Sequence, residues 1–439
     1  MNDFYKNLIF KGEKIAVAVS GGSDSVALLH FLCERSKTDG FFVCAVNIEH
    51  GIRGEDSLKD SAFVKDFCKK LGVELYFYRV DSLAFAEKER ISVEQAARIL
   101  RYQKFRELLE SGAVDKLATA HHESDNAETV LLNLFRGASL KGAAGIKPVN
   151  ERIVRPFLYT SKREIEEYLH KHALAFVEDK TNGDTDILRN YVRHRIMPEI
   201  RSAFPDAEGA LSRFAALARA EDEFLDSLAL PFVGTEGGVA EVKLGGNPVL
   251  LKRALALALK ETGLRKDYTN KHIEAAAALA QCENGAQADL PCGYVAKREY
   301  KKIVIFKKDG DVYEKRPFSY GKFEFCGRIL TVEKSSLAEF NGGCGKEGVF
   351  FADEDKICKS AVVRTRKEGD VFEKFGGGRK KLKSYYIDLK YPARLRSKLL
   401  LIAEGGEILF SGLDVSQKIK VDKSTVNVVK LTYNAQRSF

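Results

Sequence analysis

The stretch IAVAVSGGSDSVALLHFL, residues 15–32, decides how the N-terminal part of this chain folds. Residues 15–19 are a short β-branched run, and Val26, Leu28, Leu29, Phe31 and Leu32 recur as in a largely buried helix, so a strand enters a helix through SGGSDS. Gly21 and Gly22 allow a sharp turn that brings backbone N–H groups close to a ligand at the positive end of that helix, where an anion is stabilised. Ser20, Gly21, Gly22, Ser23, Asp24 and Ser25 are therefore a candidate phosphate cradle. The cradle carries no lysine. Where the loop GxxxxGK[ST] places one, this chain has Asp24 and Ser25, and GxGxxG is absent as well. A carboxylate beside a phosphate repels it unless a cation lies between, so Asp24 implies a Mg²⁺ bridging the two. The competing reading is an ordinary glycine-rich strand-to-helix turn.

Working outward, 439 residues exceed what one core usually holds, and two or three domains are expected. A composition of 45% hydrophobic and 30% charged residues is that of a folded globular chain, and the net charge of +9 leans towards a polyanionic partner. Cys33, Cys44 and Cys68 lie in apolar stretches and read as core residues. None of the eight cysteines forms a CxxC pair, which argues against a zinc knuckle or a redox motif. The start, MNDFYKNLIFKGEK, lacks a charged segment followed by a long apolar one, and no apolar run approaches membrane-spanning length. The expectation is a cytoplasmic, reduced protein without a membrane partner.

The first two hundred residues alternate strand and helix. FFVCAVNIEH, VELYFYRV and DKLATAHH read as strands, and EDSLKDSAFVKDFCKKLG, SVEQAARILRYQKFRELLESG and ESDNAETVLLNLFRG as helices. That order implies an α/β, doubly wound parallel sheet with ligands at the carboxyl ends of its strands, near a switch in strand order. In a 3-2-1-4-5 order strands one and four are neighbours, and SGGSDS then faces HHESDNAET across one crevice. Asp125 and Glu128 lie on one face of the first turn of their helix. Alone they would complement the helix dipole; opposite a phosphate-holding turn they are candidate metal or substrate ligands, because a metal needs more oxygens than Asp24 supplies.

SGGSDS resembles the PP-loop of the N-type ATP pyrophosphatases. Within that superfamily VNIEHGIRGEDSLKD, VEQAARILRYQKF, ATAHHESDNAETVLLNLFRGASLKGAAGI, RPFLYTSKREIEEYL, EDKTNGDTDILRNYVRHRIMPEI and KKLKSYYIDLKYPARLR are similar to the tRNA(Ile)-lysidine synthetases. The resemblance implies ATP in the 20–25 turn and Mg²⁺ on Asp24 and Asp125. It also implies that Asp24, Asp125 and His122 are catalytic, and that Glu128, Asp179 and Asn182 are candidates for a pocket for free lysine. The implied reaction adenylates the wobble cytidine of an isoleucine tRNA with a CAU anticodon, and lysine then displaces AMP. One position departs from the family: where it usually has two adjacent aspartates after His-His, this chain has Ser124 and Asp125. Arg98, Arg101, Arg189, Asn190 and Arg193 are candidate contacts to phosphate or tRNA, with a solvated helix face as the alternative.

Beyond about residue 205 the pattern changes. EGALSRFAALARAEDEFLDSLAL, NPVLLKRALALALKETG and NKHIEAAAALAQ read as amphipathic helices followed by short strands such as KKIVIFKK. The division expected is a catalytic domain at 1–205, a mainly helical tRNA-contacting domain at 206–312, and an α+β tRNA-binding domain at 313–439. In the last, GGGRKKLKSYYIDLKYPARLRSK mixes Lys380, Lys381 and Lys383 with Tyr385, Tyr386 and Tyr391; basic groups for phosphates and aromatics for bases are a nucleic-acid composition. Two rival functions stand beside lysidine formation: a PP-loop tRNA thiolase, which the lack of CxxC disfavours, and a non-catalytic RNA-binding protein, which an intact SGGSDS disfavours. The oligomeric state is open, with a homodimer as one option.

Overall fold

The computed structural model describes residues 3–52, 55–177, 188–264, 268–308, 313–325, 327–343, 346–376 and 378–433. The chain divides into two compact units, Met1–Ser227 and Leu228–Phe439. In the first, elements follow in the order β1 (Lys14–Ala18), α1 (Ser23–Asp39), β2 (Phe42–Glu49), α2 (Glu55–Leu71), β3 (Leu75–Arg79), α3 (Ser82–Glu89), α4 (Val93–Glu110), β4 (Lys116–Ala118) and α5 (Glu123–Phe135). Then come α6 (Leu140–Ala143), β5 (Val149–Asn150), β6 (Ile153–Val154), α7 (Lys162–Lys171), α8 (Leu188–Tyr191), a π-helical turn Val192–Ile196, α9 (Met197–Ala203) and α10 (Ala207–Ala229).

The sheet order is β3-β2-β1-β4-β6-β5. β1 pairs in parallel with both β2 and β4, and β4 with β6; only β5 is antiparallel, closing a small hairpin at the edge. Strands one and four are thus neighbours, as expected for a 3-2-1-4-5 order, and the strand order switches at β1, with β2 and β3 on one side of it and β4 and β6 on the other. Residues alternate between two cores: Ile15 and Val17 bury against α1, α2 and α7, while Ala16, Cys44 and Val46 bury against Phe105, Leu108 and Leu109 of α4. This two-faced burial is why the strands read as continuous apolar runs. Cys33, Cys44 and Cys68 are buried free thiols, as expected of core cysteines.

The second unit opens with β7 (Val233–Glu236), β8 (Val239–Lys243), α11 (Pro248–Glu261), α12 (Asn270–Ala278), β9 (Gln287–Asp289), β10 (Tyr294–Glu299) and β11 (Lys302–Lys307), which form a five-stranded sheet of order β7-β8-β11-β10-β9. Leu255 and Leu259 of α11 pack on Ile303 and Ile305 of this sheet, so its β part is larger than the few short strands legible beforehand. Next come β12 (Lys315–Pro317), β13 (Gly321–Phe325), β14 (Arg328–Ser335), α13 (Leu337–Gly343), β15 (Val349–Asp353), β16 (Val362–Arg364), β17 (Val371–Lys374) and β18 (Gly378–Lys381). The unit closes with α14 (Leu382–Asp388), α15 (Ala393–Arg396), β19 (Leu401–Glu404), β20 (Glu407–Phe410) and β21 (Val428–Tyr433). These strands build a six-stranded and a four-stranded sheet, the α+β module expected at this end.

Tyr385, Tyr386 and Tyr391 are 3%, 0% and 7% exposed and sit in the core of this module, so they are not the base-stacking surface that their basic neighbourhood suggests. Tyr385 and Tyr386 lie on the buried face of α14 with Leu382, Lys383 is exposed on the same helix, and Lys380 and Lys381 belong to β18. Among the described residues no helix is long and apolar enough to cross a membrane.

Candidate active site

The 20–25 turn joins β1 to α1. Gly21 has φ +95, a conformation that L side chains rarely adopt, and its carbonyl accepts a hydrogen bond from the Val177 amide at 3.0 Å. Gly22 caps α1 without a side-chain hydrogen bond, and Ser25 folds back, its hydroxyl donating to the Gly22 carbonyl at 2.9 Å and accepting from the Ser20 amide at 3.2 Å. Free N–H groups at a helix start that lack a side-chain cap suit an anionic ligand.

Asp24, in the first turn of α1, meets two cations. Its Oδ1 accepts from the Lys162 ammonium at 2.5 Å, and its Oδ2 lies 3.6 Å from His122 Nε2. Burial disfavours the carboxylate, but hydrogen bonding and charge from His122 and Lys162 more than offset that and hold the Asp24 carboxyl at about 2. Lys162 also donates to Ser23 Oγ at 2.9 Å.

β4 ends at two histidines that titrate in opposite directions. Burial lowers both. His122, whose Nε2 stands 3.5 Å from Asp125 and 3.6 Å from Asp24, is nevertheless raised by these two carboxylates. His121 faces Arg155, Arg189 and Arg98 as well as Asp125, and is pushed down to about 4. Side by side in sequence, the two are shifted in opposite directions because one neighbours acids and the other mostly arginines. His122 bridges the carboxylates of Asp24 and Asp125, so the structure brings together the two acids expected to share an ion.

Asp125 and Glu128 share one face of α5, as their spacing requires, and both are engaged by arginines of the helix that begins at Leu188. Glu128, 2% exposed, accepts from Arg189 Nε at 2.9 Å, from Arg193 Nε at 2.6 Å and from Arg193 Nη2 at 2.9 Å. Asp125 Oδ1 accepts from Arg189 Nη2 at 3.1 Å and Arg193 Nη2 at 2.9 Å. Burial opposes the Asp125 charge, but His122 and Arg189 outweigh it and lower its carboxyl. Arg193 lies in the π-helical turn, a local widening common at functional sites.

Of the remaining candidates, Arg98 is among the charges that act on His121. Arg98 and Arg101 are exposed on α4, with the Arg98 guanidinium 5.3 Å from the Tyr102 ring. Asn190 is half-buried between Arg189 and Tyr191, and Ser124 is buried at the start of α5. Asp179 and Asn182 lie outside the described residues. In the second unit, Lys381 and Lys383 are exposed, while Lys380 pairs with Asp388 at 2.7 Å. Lys162 was not singled out from the sequence. Lys162 lies in the quoted stretch RPFLYTSKREIEEYL, whose SKRE forms the capping box that starts α7, but nothing in that stretch signals its approach to the 20–25 turn.

The donor set fits a magnesium ion. Among the described residues no cluster of three or more His, Cys, Asp or Glu side chains forms a closed metal cage. Two carboxylates on one crevice beside a phosphate cradle are what Mg²⁺ uses, since it keeps waters and takes its other oxygens from substrate phosphates. Asn47 Oδ1 on β2 and His122 Nδ1 at the start of α5 are buried and without a hydrogen-bond partner.

Residues 1–200 match the PP-loop domain family, and residues 361–431 the TilS substrate C-terminal domain family. The chain is 34% identical to the tRNA(Ile)-lysidine synthase of Caldanaerobacter subterraneus subsp. tengcongensis, over 98% of this chain and 96% of the relative. It is 31% identical to that of Clostridium acetobutylicum, over 98% of each, and 31% identical to that of Persephonella marina, over 92% of this chain and 91% of the relative. With a doubly wound PP-loop unit, paired acids facing its turn and full-length similarity of this extent, the chain belongs to the tRNA(Ile)-lysidine synthase family.

Proposed function

We propose that the crevice at the carboxyl ends of β1 and β4 activates the wobble cytidine of an isoleucine tRNA with a CAU anticodon and transfers it to free lysine. The cytosine O2 attacks the α-phosphorus of ATP, the bond to pyrophosphate breaks, and an amine of lysine then adds at C2, loses a proton and expels AMP. The observation that carries this reading is the placement of Asp24 and Asp125 about one histidine, at 3.6 and 3.5 Å, beside a turn with free helix N–H groups.

In this scheme the 20–25 turn holds the β- and γ-phosphates, and its N–H groups stabilise the charge that develops on the leaving pyrophosphate. Asp24 and Asp125 would hold the Mg²⁺, which supplies Lewis-acid neutralisation of that charge. His122 keeps the two carboxylates in register and tempers their mutual repulsion. Glu128, with Asp179 and Asn182, is assigned to the lysine pocket, where an ammonium reaching Glu128 competes with Arg189 and Arg193 for its carboxylate. Arg98 and Arg101, exposed on α4, and Arg189 with Asn190 and Arg193, are assigned to phosphate or tRNA, as are Lys380, Lys381 and Lys383.

The functional division proposed is catalysis in 1–205, and tRNA contact in 206–312 and 313–439, in a cytoplasmic enzyme. The matches at 1–200 and 361–431 support its two ends. Against a thiolase reading, the three cysteines of the catalytic unit are buried and unreactive: burial pushes Cys33 and Cys44 up to about 12 and Cys68 to about 11.

The test is pyrophosphate release with ATP, lysine and tRNA, each omitted in turn, and mass spectrometry of the tRNA. Lysine added to the wobble cytidine is expected. Sulfur incorporation would convert the reading to a thiolase, and tRNA binding without ATP turnover to a non-catalytic RNA-binding protein.

A further inference from the structure

The 20–25 turn lacks the lysine with which other phosphate loops hold the terminal phosphates, yet an ammonium stands on it. Lys162, 138 residues from Asp24, donates to Asp24 Oδ1 at 2.5 Å and to Ser23 Oγ at 2.9 Å. Three features deliver it there. Ser161 and Glu164 form a capping box, with Ser161 N donating to Glu164 Oε2 at 2.9 Å, which fixes Lys162 as the first residue of α7. Ile165 and Leu169 bury in the same core as Phe31 and Leu32, packing α7 along α1. One turn further on, Tyr168 OH and His30 Nδ1 share a hydrogen bond at 2.8 Å. The start of α7 is thereby held against the start of α1.

We propose that Lys162 is the phosphate-binding lysine of this site, carried by a separate helix instead of by the loop itself. An ammonium has three donors, and two serve Ser23 and Asp24, so a third can take an oxygen of the β- or γ-phosphate without releasing the loop. Ser23 and Asp24 are the first two residues of α1, so the ammonium lies where phosphates drawn to that helix end arrive. Asp24 then has two tasks on two oxygens: Oδ1 aims Lys162, and Oδ2, on the His122 side, remains for the divalent ion. During adenylation Lys162 transfers no proton; its positive charge stabilises the negative charge that grows as the bond between the α-phosphorus and pyrophosphate breaks. The inference rests on the reading of the turn as the ATP site.

Titration calorimetry on the full-length protein tests it, with magnesium pyrophosphate, magnesium ATP and AMP as ligands. Loss of one charge-assisted hydrogen bond in Lys162→Met should weaken pyrophosphate and ATP roughly tenfold or more, while AMP, which lacks the β- and γ-phosphates, changes less than about twofold. Lys162→Arg, which keeps the charge, should recover most of the pyrophosphate affinity. Lys162→Gln, which keeps a donor for Asp24 but no charge, should not; this variant also serves if the methionine protein fails to fold. Unchanged pyrophosphate affinity in a folded Lys162→Met or Lys162→Gln protein overturns the inference, as does an equal loss of all three ligands, which would mean that Lys162 only shapes the loop. A wild-type protein that binds neither ATP nor pyrophosphate would instead sink the reading of the turn itself.

Discussion

Replacing Glu128 by Gln probes the clamp beneath the site with the least change of shape. Glu128 Oε2 accepts from Arg189 Nε and Arg193 Nη2, both at 2.9 Å, and Oε1 from Arg193 Nε at 2.6 Å. A glutamine keeps the most by placing its oxygen at the Oε2 position, which turns its amide against Arg193 Nε, donor to donor. The missing bond is charge-assisted, a class worth about 1.5–3 kcal/mol. Since Arg189 and Arg193 are 36% and 32% exposed, solvent screening brings the cost to about 2 kcal/mol. A unit of this size shifts by about 2–4 °C per kcal/mol, so a fall of about 4–8 °C in Tm is expected. Thermal unfolding of wild type, Glu128→Gln, Arg193→Ala and the double variant closes a mutant cycle, and the coupling should be about 1–2 kcal/mol. Additivity within about 0.5 kcal/mol would refute the clamp and show Arg193 to be solvated on its own.

Other consequences are equally specific. Asp24→Ala and Asp125→Ala should each abolish pyrophosphate release while leaving tRNA affinity nearly intact, measured by release assay and filter binding; wild-type turnover by either would remove that acid from the site. Ser124→Asp, which restores the family's usual pair, should be tolerated at wild-type turnover. Neutralising Lys380, Lys381 and Lys383 together should weaken tRNA binding and lower the log–log salt slope by about one for each phosphate no longer neutralised, and parallel slopes with equal affinity would mark a solvated face. Glu299 is buried with neither carboxylate oxygen hydrogen-bonded, 3.6 Å from Arg394, and burial pushes its carboxyl up against the lowering influence of Arg394 and Lys302. A carboxyl raised in the folded state binds more protons there than in the unfolded chain, so its contribution to stability is present in acid and is lost as pH rises through the raised value. The stability of Glu299→Gln relative to wild type should therefore increase from about pH 4 to about pH 8, and a constant difference would contradict this.

Much of the catalytic unit was legible in the sequence because its determinants are local. A β-branched run before an amphipathic one requires a strand and then a helix, Gly21 marks the positive-φ turn between them, and a spacing of three puts Asp125 and Glu128 on one helical face. The alternation of such units implied a parallel sheet with β1 beside β4, and so a crevice holding both acids. The arginine pair at 189 and 193 was likewise visible, although its partners were not.

What only the tertiary structure decided depends on helix packing across long stretches of chain. Lys162 reaches Asp24 because α7 packs along α1, and Arg189 and Arg193 reach Glu128 from 61 and 65 residues away. The same holds for solvent access. Tyr385, Tyr386 and Tyr391 sit among lysines in sequence yet are buried, the first two because the face of α14 that carries them is covered, and Tyr391 because the chain just beyond α14 turns into the same core. Residue type and spacing state which groups share a helical face. Whether that face meets solvent, a core or an opposite charge depends on the folded neighbours, and that environment sets the direction in which His121 and His122, adjacent in the chain, titrate apart.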